Sequence, residues 1–264
     1  MAEIEKEYVF ILDLDGSVIG NCYYQSILLK IEYILKKNNI KININNALNN
    51  AYKKKNKLIR PYFAYFMENM KKKFPNSCFY IYTASEKTWA QRQIPIIEKQ
   101  NNIKFDRPIY TRDDCIKDSN NNNKKSLSKI LKKKHKNAEL LIIDDNDVFI
   151  DYPNNIIKCP SYNYTYFEDF WNFINEKYLI IPNVKNLFYD LRKENLIAPY
   201  PLNNSNMNQK FESYKWLYDK CEKINKSNNN DDKFWKDLTN IILKYNISQF
   251  NKKTIKIINN YFVQ

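Results

Sequence analysis

An apolar run, Tyr8-Val9-Phe10-Ile11-Leu12, ends abruptly in Asp13-Leu14-Asp15-Gly16. Two carboxylates on alternate residues just past a buried strand are unfavourable unless a cation or a substrate offsets their charge. With Leu14 apolar and Gly16 letting the chain turn, one carboxylate can attack an electrophile while the next serves as acid and base. Alone, the pair reads equally well as two solvated acids at a strand end. Two further apolar runs change that balance. Cys78 to Tyr82 ends at the hydroxyl of Thr83, and Leu140 to Ile143 ends at a second acidic pair, Asp144-Asp145. Between them, Lys124-Lys125-Ser126-Leu127-Ser128 sets a cation at a helix start, where backbone N–H groups also favour anions. Carboxylate, hydroxyl, lysine and acidic pair, in that order, are the parts of a phosphoryl-transfer site: nucleophile, phosphoryl-oxygen donors, charge neutraliser and metal cage.

The elements that must position these residues follow from the pattern of apolar runs. Tyr8–Leu12, Cys78–Tyr82, Leu140–Ile143 and the weaker Asn155–Cys159 are continuous rather than alternating, as expected of strands covered on both faces of a parallel sheet. Helical patterns lie between them, over Tyr23–Lys37, Arg60–Lys73, Glu86–Gln100 and Ser126–Lys134. Strands alternating with helices predict a doubly wound, Rossmann-like α/β sheet, whose ligands bind at the carboxyl edge of the strands. After about Tyr166 the alternation stops. Helical patterns over Phe167–Glu176, Val184–Lys193, Asn208–Ile224, Asp231–Tyr245 and Ile247–Phe262 predict an α-helical C-terminal extension, dividing the chain into 1–165 and 166–264.

Composition excludes other chemistries. The 264 residues contain only two glycines, Gly16 and Gly20, so neither a phosphate-binding P-loop nor a dinucleotide-binding turn can be built. His135 is the only histidine, within a lysine run, and is expected on the solvated surface. A serine or cysteine hydrolase relying on histidine has almost nothing to use as its base, and a zinc site with more than one histidine is excluded. The five cysteines are dispersed without a C-x-x-C pair, as in a reducing, intracellular compartment, cytoplasm or nucleus. No apolar run approaches the ~18 residues of a membrane helix, so a soluble protein without a membrane partner is expected. A formal charge of +14 favours acidic partners, nucleic acid or phosphorylated protein, although the lysines are scattered among asparagines rather than gathered in one block.

The pieces Phe10-Ile11-Leu12-Asp13-Leu14-Asp15-Gly16-Ser17, Arg60-Pro61, Tyr80-Ile81-Tyr82-Thr83-Ala84-Ser85, Ile109-Tyr110-Thr111-Arg112-Asp113-Asp114-Cys115, Lys125-Ser126-Leu127-Ser128-Lys129 and Leu141-Ile142-Ile143-Asp144-Asp145 resemble a known family. It is the haloacid dehalogenase superfamily, in its branch of RNA polymerase C-terminal-domain phosphatases, also called NLI-interacting-factor-like phosphatases. The resemblance covers about residues 7 to 165. It implies that Asp13 attacks phosphorus to form an aspartyl-phosphate and that Asp15 protonates the leaving oxygen, then deprotonates water. It also implies that Mg²⁺ sits on Asp13, the Asp15 carbonyl and Asp145. Asp144 orients the site or exchanges roles with Asp145. Thr83, Ala84 and Lys125 would hold the phosphate oxygens, Lys125 being matched through Lys-Ser-Leu-Ser, with Lys124 its neighbour. Ser17 stands where the family more often has threonine. The segment 18–59 is longer than the family's short flap and is read as a helical flap or lid.

The implied substrate is phosphoserine or phosphothreonine in an extended peptide. The same motifs also serve polynucleotide 3′-phosphatases, and some relatives are non-catalytic binding subunits. Trp216 and Trp235 are expected to be packing anchors of the C-terminal helices.

Overall fold

The computed structural model describes residues 6–128, 130–131, 135–167, 178, 180–193, 219, 222–223, 225–226 and 231–262. Among the described residues the strands are β1 (Tyr8–Leu12), β2 (Ser77–Ile81), β3 (Ile116–Lys117), β4 (Asn123–Lys124), β5 (Glu139–Asp144) and β6 (Ile156–Lys158). Four of them form a parallel sheet in the order β2-β1-β5-β6, while β3 and β4 pair as an antiparallel hairpin. The fold is thus the α/β class expected. β1 is enclosed between β2 and β5 with all of its residues buried, which is why its apolar run does not alternate.

The register decides where the polar residues emerge. Leu12 lies opposite Ile81 on one side and Ile143 on the other. Asp13, Tyr82 and Asp144 therefore leave the sheet at one level, linked by Tyr82 N–H to Leu12 O and Asp13 N–H to Ile143 O, both 2.9 Å. Side chains alternate between the two faces. On one face Phe10 stacks on Phe79 at 4.6 Å and meets Phe66, Phe74 and Phe250 at 5.9–6.1 Å. On the other, Val9, Ile11, Tyr80, Tyr82, Leu140 and Ile142 pack with Leu127, Ile130 and Phe149. Truncating a ring such as Phe10 to alanine would cost about 3–5 kcal/mol.

Seven helices are α1 (Tyr23–Lys37), α2 (Asn45–Ala51), α3 (Phe63–Lys73), α4 (Lys87–Asn101), α5 (Pro182–Lys193), α6 (Phe234–Lys244) and α7 (Lys252–Phe262), counted among the described residues. The chain forms two compact units. Met1–Gly20, Ile59–Tyr162 and Asp231–Gln264 make the first, and Asn21–Leu58 with Asn163–Asn230 the second. In the second, α1 buries Tyr24, Ile27, Leu28, Ile31 and Leu35, the one-face spacing of an amphipathic helix. The Gln25 amide of α1 donates to Tyr166 O at 3.0 Å.

This grouping differs from the division at 165. The last two helices return to the sheet: Trp235 sits 5.0 and 4.7 Å from the Phe63 and Phe66 rings of α3, and the Asn259 amide donates to Ile156 O at 3.0 Å. Helical periodicity marks an apolar face but not the surface it will cover. His135 also departs from expectation. It is buried, with Nδ1 2.8 Å from Glu7 Oε1 and Nε2 2.9 Å from the Tyr80 hydroxyl, although lysines surround it in sequence. The helical patterns over 168–176 and 208–218, and Trp216, lie outside the described residues. The helix expected over 126–134 does not form in its described part: 126–128 and 130–131 run as irregular chain and turn, so Lys125 follows β4 rather than opening a helix, and 129 and 132–134 lie outside the described residues. Among the described residues no helix is long and apolar enough to cross a membrane.

Candidate active site

Lys125 is the centre of the carboxyl-edge cluster. Its Nζ donates to Asp13 Oδ1 and Asp144 Oδ2, each at 2.6 Å, and all three side chains are buried. The Lys125 ammonium lies 5.8 and 5.4 Å from the centroids of the Tyr82 and Phe149 rings. The β3–β4 hairpin delivers it. Successive residues of an extended strand point to opposite sides, so Lys124 reaches the Asp147 carbonyl at 3.4 Å instead. The backbone of Lys125 bonds across to Val148 O and receives Ile150 N–H, at 2.9 and 3.1 Å. Asp151 then secures the following residues, accepting Leu127 N–H at 2.9 Å and the Ser126 hydroxyl at 2.9 Å.

Asp15 is held from the neighbouring strand end. Its Oδ2 accepts the Thr83 hydroxyl at 3.1 Å and the Ser85 hydroxyl at 2.7 Å, while Thr83 Oγ1 accepts Ser85 N–H at 3.0 Å. Arg112 staples this loop: its Nε donates to Ala84 O at 2.8 Å and its N–H to Ser85 O at 2.9 Å. Gly16 follows Asp15 in the turn, with φ of +79°. A Cβ there would strike the Asp145 carboxylate and lie 3.1 Å from Ser161 Oγ. Glycine is thus required twice, for the left-handed turn and to leave Asp145 in place.

The site holds more negative than positive charge. Asp13, Asp144 and Asp145 each offer a carboxylate oxygen within 4.8 Å of the others. Burial pushes the Asp13 carboxyl up to about 8, against the pull of Lys125. Burial likewise raises Asp15, against the hydrogen bonds of Ser85 and Thr83, and raises Asp144, against Lys125. Burial disfavours the Lys125 ammonium, but Asp13 and Asp144 more than restore it and its pKa rises. The shared direction has one leading cause, the loss of water around buried carboxylates, which the single ammonium and the hydroxyl donors do not offset.

A second set of ligand-type side chains, Glu7, Cys78 and His135, gathers near the amino ends of β1 and β2. Both His135 ring nitrogens are already hydrogen-bonded there, to Glu7 and Tyr80, as in a satisfied packing network.

Every side chain expected from sequence at the phosphoryl-transfer site falls in this cluster: Asp13, Asp15, Thr83, Lys125, Asp144 and Asp145, with the Ala84 carbonyl occupied by Arg112. Sequence reasoning missed the parts played by Ser85 and Asp151. Ser85 stands in the Tyr-Thr-Ala-Ser stretch, so its hydroxyl two residues after Thr83 was an available signal. Asp151 carries none, because its contacts span 24 residues of irregular chain.

The model for NLI interacting factor-like phosphatases matches residues 8–175. The chain belongs to that family. That membership agrees with the parallel sheet and its acidic edge. Two solved structures are similar to the chain. One is Fcp1, described as an essential RNA polymerase II CTD phosphatase, at 17% identity over 96% of this chain and 70% of that one, with a TM-score of 0.39. The other is a variant of fission yeast Fcp1 bound to beryllium fluoride, at 16% identity over 96% and 70%, with a TM-score of 0.40. Both likenesses are too loose to transfer the role of any residue. No curated protein matches the chain.

Proposed function

We propose that this chain is a Mg²⁺-dependent phosphatase that hydrolyses phosphoserine or phosphothreonine in proteins through an aspartyl-phosphate. The observation that carries the proposal is the pairing of Asp13 with Lys125 at 2.6 Å, beside Asp144 and Asp145 and level with the Asp15–Thr83–Ser85 group. In the first step an Asp13 oxygen forms a bond to phosphorus as the ester P–O bond breaks, and Asp15 gives its proton to the departing oxygen. In the second, Asp15 takes a proton from water, whose oxygen attacks phosphorus and releases phosphate and the Asp13 carboxylate. The raised pKa of Asp15 suits a group that must carry a proton into the reaction. Lys125 and Thr83 offset charge on the phosphoryl oxygens as it redistributes.

The residues present fit Mg²⁺. The donor set is all hard oxygen, from Asp13, Asp145 and Asp144 with the Asp15 carbonyl, and Gly16 leaves the Asp145 carboxylate unobstructed. When bound, the ion would offset the repulsion between a carboxylate nucleophile and an anionic phosphate.

The family's resemblance to C-terminal-domain phosphatases and the +14 charge support a phosphopeptide substrate. The same charge suits a nucleic-acid end, and turnover discriminates the two. We expect short Ser/Thr-phosphopeptides rich in proline and serine to be hydrolysed faster than 3′-phosphorylated oligonucleotides, with a shallow salt dependence, and Asp13→Asn to abolish turnover of both. A polynucleotide phosphatase would show activity falling steeply with salt as counterions are released. Oligonucleotide turnover faster by tenfold, about 1.4 kcal/mol of transition-state preference, would replace the peptide reading. No turnover of any phosphomonoester would leave a binding subunit of the same fold.

A further inference from the structure

The turn carrying both aspartates closes on itself and is then gripped from far along the chain. Val18 and Ile19 N–H both donate to Leu14 O, at 3.0 and 2.9 Å, and Gly16 N–H donates to Ile19 O at 2.8 Å. Three donors reach in from elsewhere: Tyr162 N–H to Gly16 O at 2.7 Å, Arg60 N–H to Val18 O at 2.9 Å, and the Trp235 indole N–H to Ser17 O at 3.2 Å.

Arg60 is itself fixed by the segment that holds Trp235. Its Nε and Nη2 donate to the two carboxylate oxygens of Asp232 at 2.9 and 2.8 Å, and its guanidinium lies 4.6 Å from the Phe234 ring centre. Arg60 is 1% exposed and Trp235 0%. A buried arginine held in a bidentate pair by a part-buried carboxylate, and a buried indole N–H, are directional contacts, which a core needing only volume would not require. The matched family region ends at 175, so these contacts come from outside it.

We propose that Asp232 and Trp235 are positioning residues for the aspartate turn, holding Ser17 directly and Val18 through Arg60, and so setting where Asp15 meets Thr83 and Ser85. Among the described contacts, Trp235 supplies the only side-chain N–H donor to a backbone carbonyl of this turn. Without it the turn keeps its internal bonds but loses a tether two residues from Asp15. Displacements of about 1 Å at a reacting group can lower rates about 10²-fold, and loss of one tether among three should give a smaller fraction of that.

The kinetic arm of this proposal rests on the phosphatase reading; a structural arm does not. In the full chain, Trp235→Phe keeps a ring against Phe63 and Phe66 and deletes the donor. Asp232→Asn keeps shape and removes the charge that fixes Arg60. Ile242→Val, buried two turns further along α6, is the packing control. Both test variants should speed amide exchange of Val18 and Ile19 about tenfold relative to the sheet amides of Phe10 and Ile11. They should also lower kcat about tenfold with KM within about twofold, an order below the loss expected for a full 1 Å displacement. The control should change neither at a similar loss of Tm. Faster exchange with an inactive wild type would overturn the phosphatase reading and uphold the tether. Unchanged Val18 and Ile19 exchange in both variants would overturn the tether and leave Trp235 as packing alone. Faster exchange with unchanged kcat would overturn the positioning role. If Trp235→Phe fails to fold, the same readouts on Asp232→Asn decide.

Discussion

β1 has a polar network at each end, and the two are built in opposite ways. At the amino end, Glu7, His135 and Tyr80 close on one another, with the imidazole bridging carboxylate and phenol at 2.8 and 2.9 Å. At the carboxyl end, Asp13 and Asp144 share the Lys125 ammonium at 2.6 Å each, with Asp15 and Asp145 adding further negative charge. The first network is complete in itself and serves the fold. The second leaves carboxylate charge that one ammonium does not balance, which the proposed divalent ion would offset. A buried polar group whose partners are all internal stabilises; one whose partners fall short marks where a ligand belongs.

Removing Lys125 should break the contrast most severely. Lys125→Ala is expected to lower kcat/KM by about 2.7–4 kcal/mol of transition-state stabilisation, as loss of one strong oxyanion donor does. Lys124→Ala should stay near wild type in the same saturation kinetics, because its ammonium reaches the Asp147 carbonyl rather than Asp13 or Asp144. A larger loss for Lys124 than for Lys125 would undo the assignment of the site.

At the other end of the strand, His135→Gln should lower stability by about 1–3 kcal/mol in urea unfolding, by leaving buried partners of the ring unmatched. Turnover at 25 °C should be unaffected. A tenfold fall in kcat with unchanged stability would show that the two ends are coupled and that the division into structural and catalytic networks is wrong.

The smallest effect concerns pH and metal. The Asp13 carboxyl is pushed up to about 8 from the ordinary 3.8, so its contribution to stability is fully present below 3.8 and lost as pH rises through 8. Asp15 and Asp144 are shifted in the same direction. Metal-free protein should therefore lose stability across that window, and Mg²⁺, which binds the ionised form, should raise Tm more at pH 8.5 than at pH 5.5. Melts in Mg²⁺ and in chelator check this. An increment equal at both pH values would mean that the ion does not bind these carboxylates.

Much of the site was legible because its residues sit where strand ends place them. Asp13, Thr83 and Asp144-Asp145 each follow an apolar run, and parallel pairing in register brings such ends to one edge. Lys125 was harder: adjacent lysines are alike in sequence, and only the alternation of β4 turns one toward Asp13 and the other away. Ser85 was visible as a hydroxyl in the right stretch but not as an Asp15 partner, since hydrogen bonding between loops depends on their final course.

By itself, then, the sequence determined the α/β class, the strand cores and the order of the polar residues that gather at the sheet's carboxyl edge. These depend on local composition and on periods of two or 3.6 residues, which survive without knowledge of neighbours. The tertiary structure decided the rest: that α6 and α7 belong with the sheet, that His135 is buried between Glu7 and Tyr80, and that Arg60 reaches Asp232 across 172 residues. Contacts of that span are set by which surfaces exclude water together, and an apolar face on a helix does not name the surface it will cover.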